Sequence, residues 1–203
     1  MRIIDLQQNS KPWLEFRRKH IQATDAGIIL GLNHWKDPHQ LWLEKMGFVE
    51  PEPCNAAMRR GQILEENARG LLCEQLGIDF EPIVIESEQF PWMGASLDGY
   101  SQKYKCICEI KCMKLQKHLQ VTEDTIDSCH FAQMMHQLTC SRADLVYYAS
   151  YHPKAFDPLT IVKIVPDREY IKNMIEKEKE FFFETMCNME PTSESWTLNG
   201  RRN

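Results

Sequence analysis

Glu109-Ile110-Lys111, preceded by Ser96-Leu97-Asp98-Gly99, gathers two carboxylates and an ammonium into one short stretch. In an extended strand successive side chains alternate faces. Ile107, Glu109 and Lys111 therefore point one way, while Cys106, Cys108, Ile110 and Cys112 point the other way and can enter a core. Trp92 to Tyr100 and Lys105 to Cys112 flank a short polar turn and read as a hairpin, which can bring Asp98 beside Glu109. Two carboxylates that close repel, and a hard divalent cation relieves the repulsion. Magnesium suits such a pair, because it prefers oxygen ligands at about 2.1 Å and keeps several waters. The Ile110 backbone carbonyl is a further candidate ligand. Lys111 would then lie near a metal-bound water, where it could lower that water's pKa, position it, or stabilise charge on a phosphorane-like transition state. An ExK triplet alone is as well explained by a salt bridge on a strand surface. The upstream SxDG and the hairpin make it a catalytic candidate.

The elements that must position these groups are legible from periodicity and punctuation. Ser10 can cap a helix containing Trp13, Phe16 and Arg17. Thr24 is a candidate N-cap for a helix over 25–30, with Gly31 as its stop. Asp37-Pro38 opens a third helix that ends at Gly47. In the segment from Asn55 to Leu76, Leu64, Ala68, Leu71, Leu72 and Leu76 recur at helical spacing, and Gly77 ends the helix. Glu65 lies at the edge of that apolar stripe. After a β-rich run from Pro82 to Glu88 come the hairpin, a helix from Ser128 to Cys140, strands over 143–151 and 159–165, and an amphipathic helix from Asp167 to Met186. Phe131, Met134, Met135 and Leu138 make one stripe of the 128–140 helix, leaving Gln133 and Gln137 on another face. The order of helices, three strands, helix, two strands and helix predicts an α/β sandwich with a mixed central sheet. With no repeats and no Gly/Ser linker, residues 1–203 read as one domain.

Other chemistries find little support. The net charge of −5 argues against a general DNA-coating protein, though a local basic groove can coexist with it. Arg17-Arg18-Lys19-His20, Arg59-Arg60 and the run from Lys103 to Lys117 are such local clusters. Cys54, Cys73, Cys106, Cys108, Cys112, Cys129, Cys140 and Cys187 form no CxxC pair, so a zinc ribbon or thioredoxin motif is not expected. They read as small buried hydrophobes rather than iron–sulfur ligands. The histidines show neither HxxxH nor HExxH spacing, and no Gly-rich phosphate loop suggests ATP. No apolar run is long enough to span a membrane, and the first eight residues lack the apolar stretch of a signal peptide, so a cytoplasmic protein is expected.

The pattern resembles the PD-(D/E)XK nucleases, and more finely the YqaJ and bacteriophage lambda exonuclease family, from Trp13 to about Pro153. The matching pieces run Trp13-Leu14-Glu15-Phe16-Arg17, Ala23-Thr24, Ile29-Leu30-Gly31-Leu32, Leu41-Trp42-Leu43-Glu44-Lys45-Met46-Gly47 and Met58-Arg59-Arg60-Gly61-Gln62-Ile63-Leu64-Glu65. Ser96-Leu97-Asp98-Gly99, Glu109-Ile110-Lys111 and Phe131-Ala132-Gln133 follow. Their order and spacing together are specific; any one alone is not. The resemblance implies a restriction-endonuclease-like α/β sandwich. It makes Asp98 and Glu109 metal ligands and Lys111 the catalytic lysine. Glu65 matches the acidic residue of the upstream helix, and Gln133 the glutamine near the active site. Arg17, Thr24 and Ser96 match positions that hold a terminal 5′-phosphate. Leu97 stands where the family commonly has proline, which removes no ligand.

The function so implied is a Mg²⁺-dependent 5′-to-3′ exonuclease, with Mn²⁺ able to substitute. It would act on double-stranded DNA ends, release mononucleotides and leave a 3′ single strand. A ring-shaped homotrimer, a single-strand DNA annealing protein as partner, and a phage or prophage origin are implied with it. Two other readings compete: an endonuclease or junction resolvase of the same fold, and a non-catalytic DNA-end-binding module. The apparent 5′-phosphate set favours an end-directed enzyme, and intact Asp98, Glu109 and Lys111 argue against pure binding.

Overall fold

The alternation that marked the hairpin is carried through a seven-stranded mixed sheet in this computed structural model, which describes residues 1–50 and 55–186. Cys54, Cys187 and the last part of the 1–203 stretch read as one domain lie outside the described residues. The strands are β1 (Arg2–Ile4), β2 (Ile21–Gln22), β3 (Glu81–Glu86), β4 (Met93–Ser101), β5 (Cys106–Cys112), β6 (Leu145–Tyr151) and β7 (Leu159–Ile164). Their order is β1-β3-β4-β5-β6-β7, with β2 added against β4. The β5–β6 and β2–β4 pairs are parallel and the rest antiparallel. The mixed sheet expected from the sequence is thus the one found. The short strands β1 and β2 escaped the sequence reading because two or three residues carry no usable period.

Helices cover both faces. Helix α4 (Ala56–Leu76) lies on one, burying Ala68 and Leu72 against Phe80, Cys106, Cys108 and Ile110. On the other, α2 (Ala23–Ile29), α6 (Ser128–Ser141) and α7 (Arg168–Met186) pack on Ala95, Leu97, Ile107, Val146 and Tyr148. The stripe of Met134, Met135 and Leu138 is core, as its spacing predicted. Cys106 and Cys108 are buried hydrophobes, and burial pushes the Cys106 and Cys108 thiols above the ordinary range.

Helices α1 (Lys11–Lys19) and α3 (Pro38–Met46) complete the layer beside α2. Ser10, Asp37 and Asn55 cap α1, α3 and α4 with their side chains, and Gly47 and Gly77 close α3 and α4 in the left-handed region. One cap differs from expectation. Helix α2 begins at Ala23, so Thr24 lies inside its first turn, and Asp25 instead accepts a hydrogen bond from the Gln22 backbone N–H at 2.8 Å. The Thr24 hydroxyl is left for another partner. A short helix α5 (Leu115–His118) follows β5. No helix among the described residues is long and apolar enough to cross a membrane.

Candidate active site

The site lies where β4 and β5 part. Their ladder runs Ser101↔Cys106, Tyr100↔Ile107 and Gly99↔Cys108, and then stops. One more step would face Asp98 with Glu109. Instead the Asp98 carboxylate enters the fork and accepts from the Ile110 backbone N–H at 2.7 Å. A β-bulge helps: between Leu97 and Tyr100 β4 uses one residue more than β3 does between Ile83 and Glu81. Bulges bend a strand and re-aim side chains. Gly99 is required at that bend, because a Cβ there would lie 2.6 Å from the Phe80 Cβ and 2.7 Å from the Cys108 Sγ.

The fork lets groups from both sheet faces meet. Glu109, on the α6 face with Ile107, is buried, and Lys111 lies beyond it. Lys111 Nζ is 2.7 Å from Glu109 Oε1 and donates to Gln133 Oε1 at 3.0 Å, while Gln133 Nε2 donates to Glu109 Oε1 at 2.8 Å. One glutamine thus ties acid to base. Glu65 approaches from the α4 side and is paired with Arg69 at 3.1 Å, one helical turn on. Arg69 also donates to the Asp98 backbone carbonyl at 2.9 Å.

Electrostatics follow from this crowding. Burial, and then the charges of Glu109 and Glu65, hold the Asp98 carboxyl well above the usual carboxylate range. Burial also raises Glu65, against the pull of Arg69. For Lys111 burial opposes the charge, but Glu109 and Asp98 outweigh it and raise its pKa. Lys111 is therefore an ammonium here, suited to stabilising negative charge rather than to accepting a proton. The free oxygens are hard donors in a cluster that carries excess negative charge, which fits Mg²⁺. Among the described residues no three His, Cys, Asp or Glu side chains already converge as a metal cage.

A second cluster lies upstream along β4. Arg17 Nη2 donates to Thr24 Oγ1 at 3.1 Å, its guanidinium lies 4.7 Å from the centre of the Trp13 ring, and Trp13 Nε1 donates to Ser96 Oγ at 2.9 Å. Arg17, Thr24 and Ser96 come together, with Trp13 as the link. The neighbouring Arg18 and Lys19 pair with Glu15 on the exposed face of α1, and those two bonds pull the Glu15 carboxyl down to about 2. Lys45 secures the platform: its buried Nζ pairs with Asp25 at 2.6 Å and donates to the Arg17 and His20 carbonyls at 2.7 Å each. A cation on the last carbonyls of α1 is favourable for the helix dipole as well.

Not every basic residue points at the fork. Arg60 donates to the Cys112 carbonyl at 3.3 Å, fastening α4 to the end of β5. Arg69, Trp13 and Gln137 were not singled out by sequence as site residues. Arg69 and Gln137 had a signal, each lying four residues after a candidate site residue on the same helix.

Residues 12–144 match the YqaJ-like viral recombinase domain. The chain belongs to that family. It is 30% identical over 129 residues to the uncharacterized protein YqaJ of Bacillus subtilis strain 168, a match covering 62% of this chain and 40% of that one. The chain therefore spans less than half of that relative. Among solved structures, the alkaline exonuclease LHK-Exo of Laribacter hongkongensis superposes with a TM-score of 0.77 at 20% identity, over 88% of this chain and 94% of that one. A complex of LHK-Exo with dAMP gives 0.78 at 21% identity over the same shares. A phage-related exonuclease from Haemophilus somnus 129PT gives 0.65 at 15%, over 83% and 96%. At these identities the likeness establishes the fold. The YqaJ-like family chain thus has the architecture of an alkaline exonuclease.

Proposed function

We propose that this YqaJ-like domain is a metal-dependent deoxyribonuclease that hydrolyses double-stranded DNA from its 5′ ends. The observation that carries the reading is the fork itself: Asp98, Glu109 and Lys111 meet where β4 and β5 part, with Gln133 bridging acid and base. Nothing in simple DNA binding requires crowded carboxylates beside a lysine. Asp98 and Glu109 would hold Mg²⁺ or Mn²⁺, with the Ile110 carbonyl as a further ligand. Bound there, the cation supplies Lewis acidity and a more acidic water.

The chain's own groups do the rest. Lys111 positions the attacking water and neutralises charge gathering on the phosphoryl oxygens. Gln133 holds Lys111 and Glu109 in register. Glu65, which interacts electrostatically with Glu109 and Lys111, would help order water or cation on the α4 side. Water's oxygen bonds to phosphorus, the bond from phosphorus to the 3′-oxygen breaks, and that oxygen leaves with a proton. A mononucleotide departs and the shortened strand carries a new 5′-phosphate.

That product suits the second cluster. Ser96 and Asp98 are two residues apart, roughly 6–7 Å along an extended strand, comparable to the step between successive phosphates of a nucleotide chain. Arg17, Thr24 and Ser96 would hold the terminal phosphate while the next lies at the fork, which favours an exonuclease over an endonuclease or resolvase. A homotrimer, a single-strand annealing partner and a phage or prophage setting accord with a viral-recombinase family and belong to the same proposal.

The test uses linear and closed circular duplex DNA, 5′-phosphorylated where ends exist, with Mg²⁺ or EDTA. Mg²⁺-dependent loss of the linear form alone, releasing mononucleotides, is expected. Lys111→Ala should abolish it with folding retained, and Arg17→Ala should selectively slow 5′-phosphorylated ends. Cutting of the closed circle would favour the endonuclease, and no cleavage of either form would leave the binding module.

A further inference from the structure

The carboxylate of Glu109 is held more completely than its neighbours require. Its Oε1 receives Lys111 Nζ at 2.7 Å and Gln133 Nε2 at 2.8 Å. Its Oε2 receives Gln137 Nε2 at 2.5 Å. A carboxylate offers about four lone-pair directions, so three are filled and the remaining one is on Oε2. Gln137 lies one turn beyond Gln133 on α6 and is fully buried. Its own Oε1 has no hydrogen-bond partner. Flipping the amide would set that oxygen against the Glu109 carboxylate, acceptor against acceptor, so the orientation is fixed by chemistry.

An orphaned buried acceptor is a cost that an apolar side chain of the same length would avoid. Local rules are broken where function demands it. We propose that Gln137 is a positioning residue: by anchoring Glu109 Oε2 from below, it sets the carboxylate plane and leaves one lone pair of that oxygen for the divalent cation. Gln133 serves Lys111 as well as Glu109, whereas Gln137 touches only the ligand. This inference rests on the metal reading of the fork. Its consequence is that Gln137 governs cation affinity rather than DNA binding. Groups that orient a metal ligand in this way change affinity by about 10- to 100-fold when replaced.

The experiment measures Mn²⁺ binding to the full chain by calorimetry, alongside thermal unfolding in EDTA and the KM for linear duplex DNA. Gln137→Met fills the same space without the amide. It should weaken Mn²⁺ about 10- to 100-fold and leave the KM for DNA unchanged, while the melting temperature in EDTA falls, because the buried Glu109 Oε2 loses the amide that donates to it. Gln137→Asn, too short to reach Glu109, should show the same loss of Mn²⁺ affinity and guards against a folding defect in the first variant. If both variants bind Mn²⁺ like the parent, the positioning role is refuted while the metal site stands. If the parent binds no Mn²⁺ that Asp98→Asn removes, the metal reading and this inference fall together.

Discussion

Replacing Asp98 with asparagine should make the metal-free protein more stable while destroying its activity. The asparagine side chain keeps an oxygen to accept from the Ile110 N–H, a bond of 2.7 Å in the native chain, so the fork is not left with an orphan donor. The substitution removes one of the negative charges that crowd there with Glu109 and Glu65. Single stabilising substitutions commonly gain about 0.5–2 kcal/mol. In a chain of this size about 1 kcal/mol moves the melting temperature by roughly 2–4 °C. The pH dependence has a definite sign. The folded pKa of Asp98 is raised, so the native chain in EDTA is at no disadvantage below the ordinary carboxylate range and loses stability as pH rises through the raised value. The advantage of the variant should therefore vanish in acid and reach its full size above that pKa. Saturating Mg²⁺ should reverse the ranking: at about a hundred times its dissociation constant a ligand stabilises by about 2.7 kcal/mol, available to the parent and not to the variant. Calorimetric melts of both proteins in EDTA and in Mg²⁺, across pH, decide it. A variant less stable than the parent in EDTA at neutral pH, or one stabilised by Mg²⁺ as strongly as the parent, would refute the account of the fork.

Gly99→Ala drives a methyl to 2.6 Å from the Phe80 Cβ and 2.7 Å from the Cys108 Sγ, and should cost about 1–3 kcal/mol of overpacking, read as a lower denaturation midpoint. His136→Ala removes one partner of a fully buried pair, in which Nδ1 lies 2.8 Å from Glu178 Oε1 and Nε2 donates to the Gly94 carbonyl at 3.1 Å. A loss of about 3–5 kcal/mol is expected, with Mn²⁺ affinity intact where the variant still folds. Lys45→Met frees the Arg17 and His20 carbonyls and leaves Asp25 without its cation. The rate ratio between 5′-phosphate and 5′-hydroxyl ends should fall toward unity; an unchanged ratio would separate Lys45 from the phosphate cluster.

The sequence by itself determined the longer elements and the chemical types. Strand alternation assigned Glu109 and Lys111 to one face and the cysteines to the other, and the sheet has them so. Helix punctuation at Ser10, Asp37, Gly47 and Gly77 was legible because each meets a local backbone need with a local residue. What remained hidden was whatever depends on distant chain coming together. The stop in the β4–β5 ladder, the bulge at Asp98 and the short strand β2 arise from packing that no window of neighbouring residues encodes. Thr24 looked like a cap because its type suits one; only the contact with Arg17 showed that its hydroxyl faces another helix. The roles of Arg69 and Gln137 emerge only once α4 and α6 are laid on opposite faces of the same fork. A carboxylate's charge is written in the sequence, but its pKa and its lone pairs are allotted by the neighbours that tertiary structure brings to it.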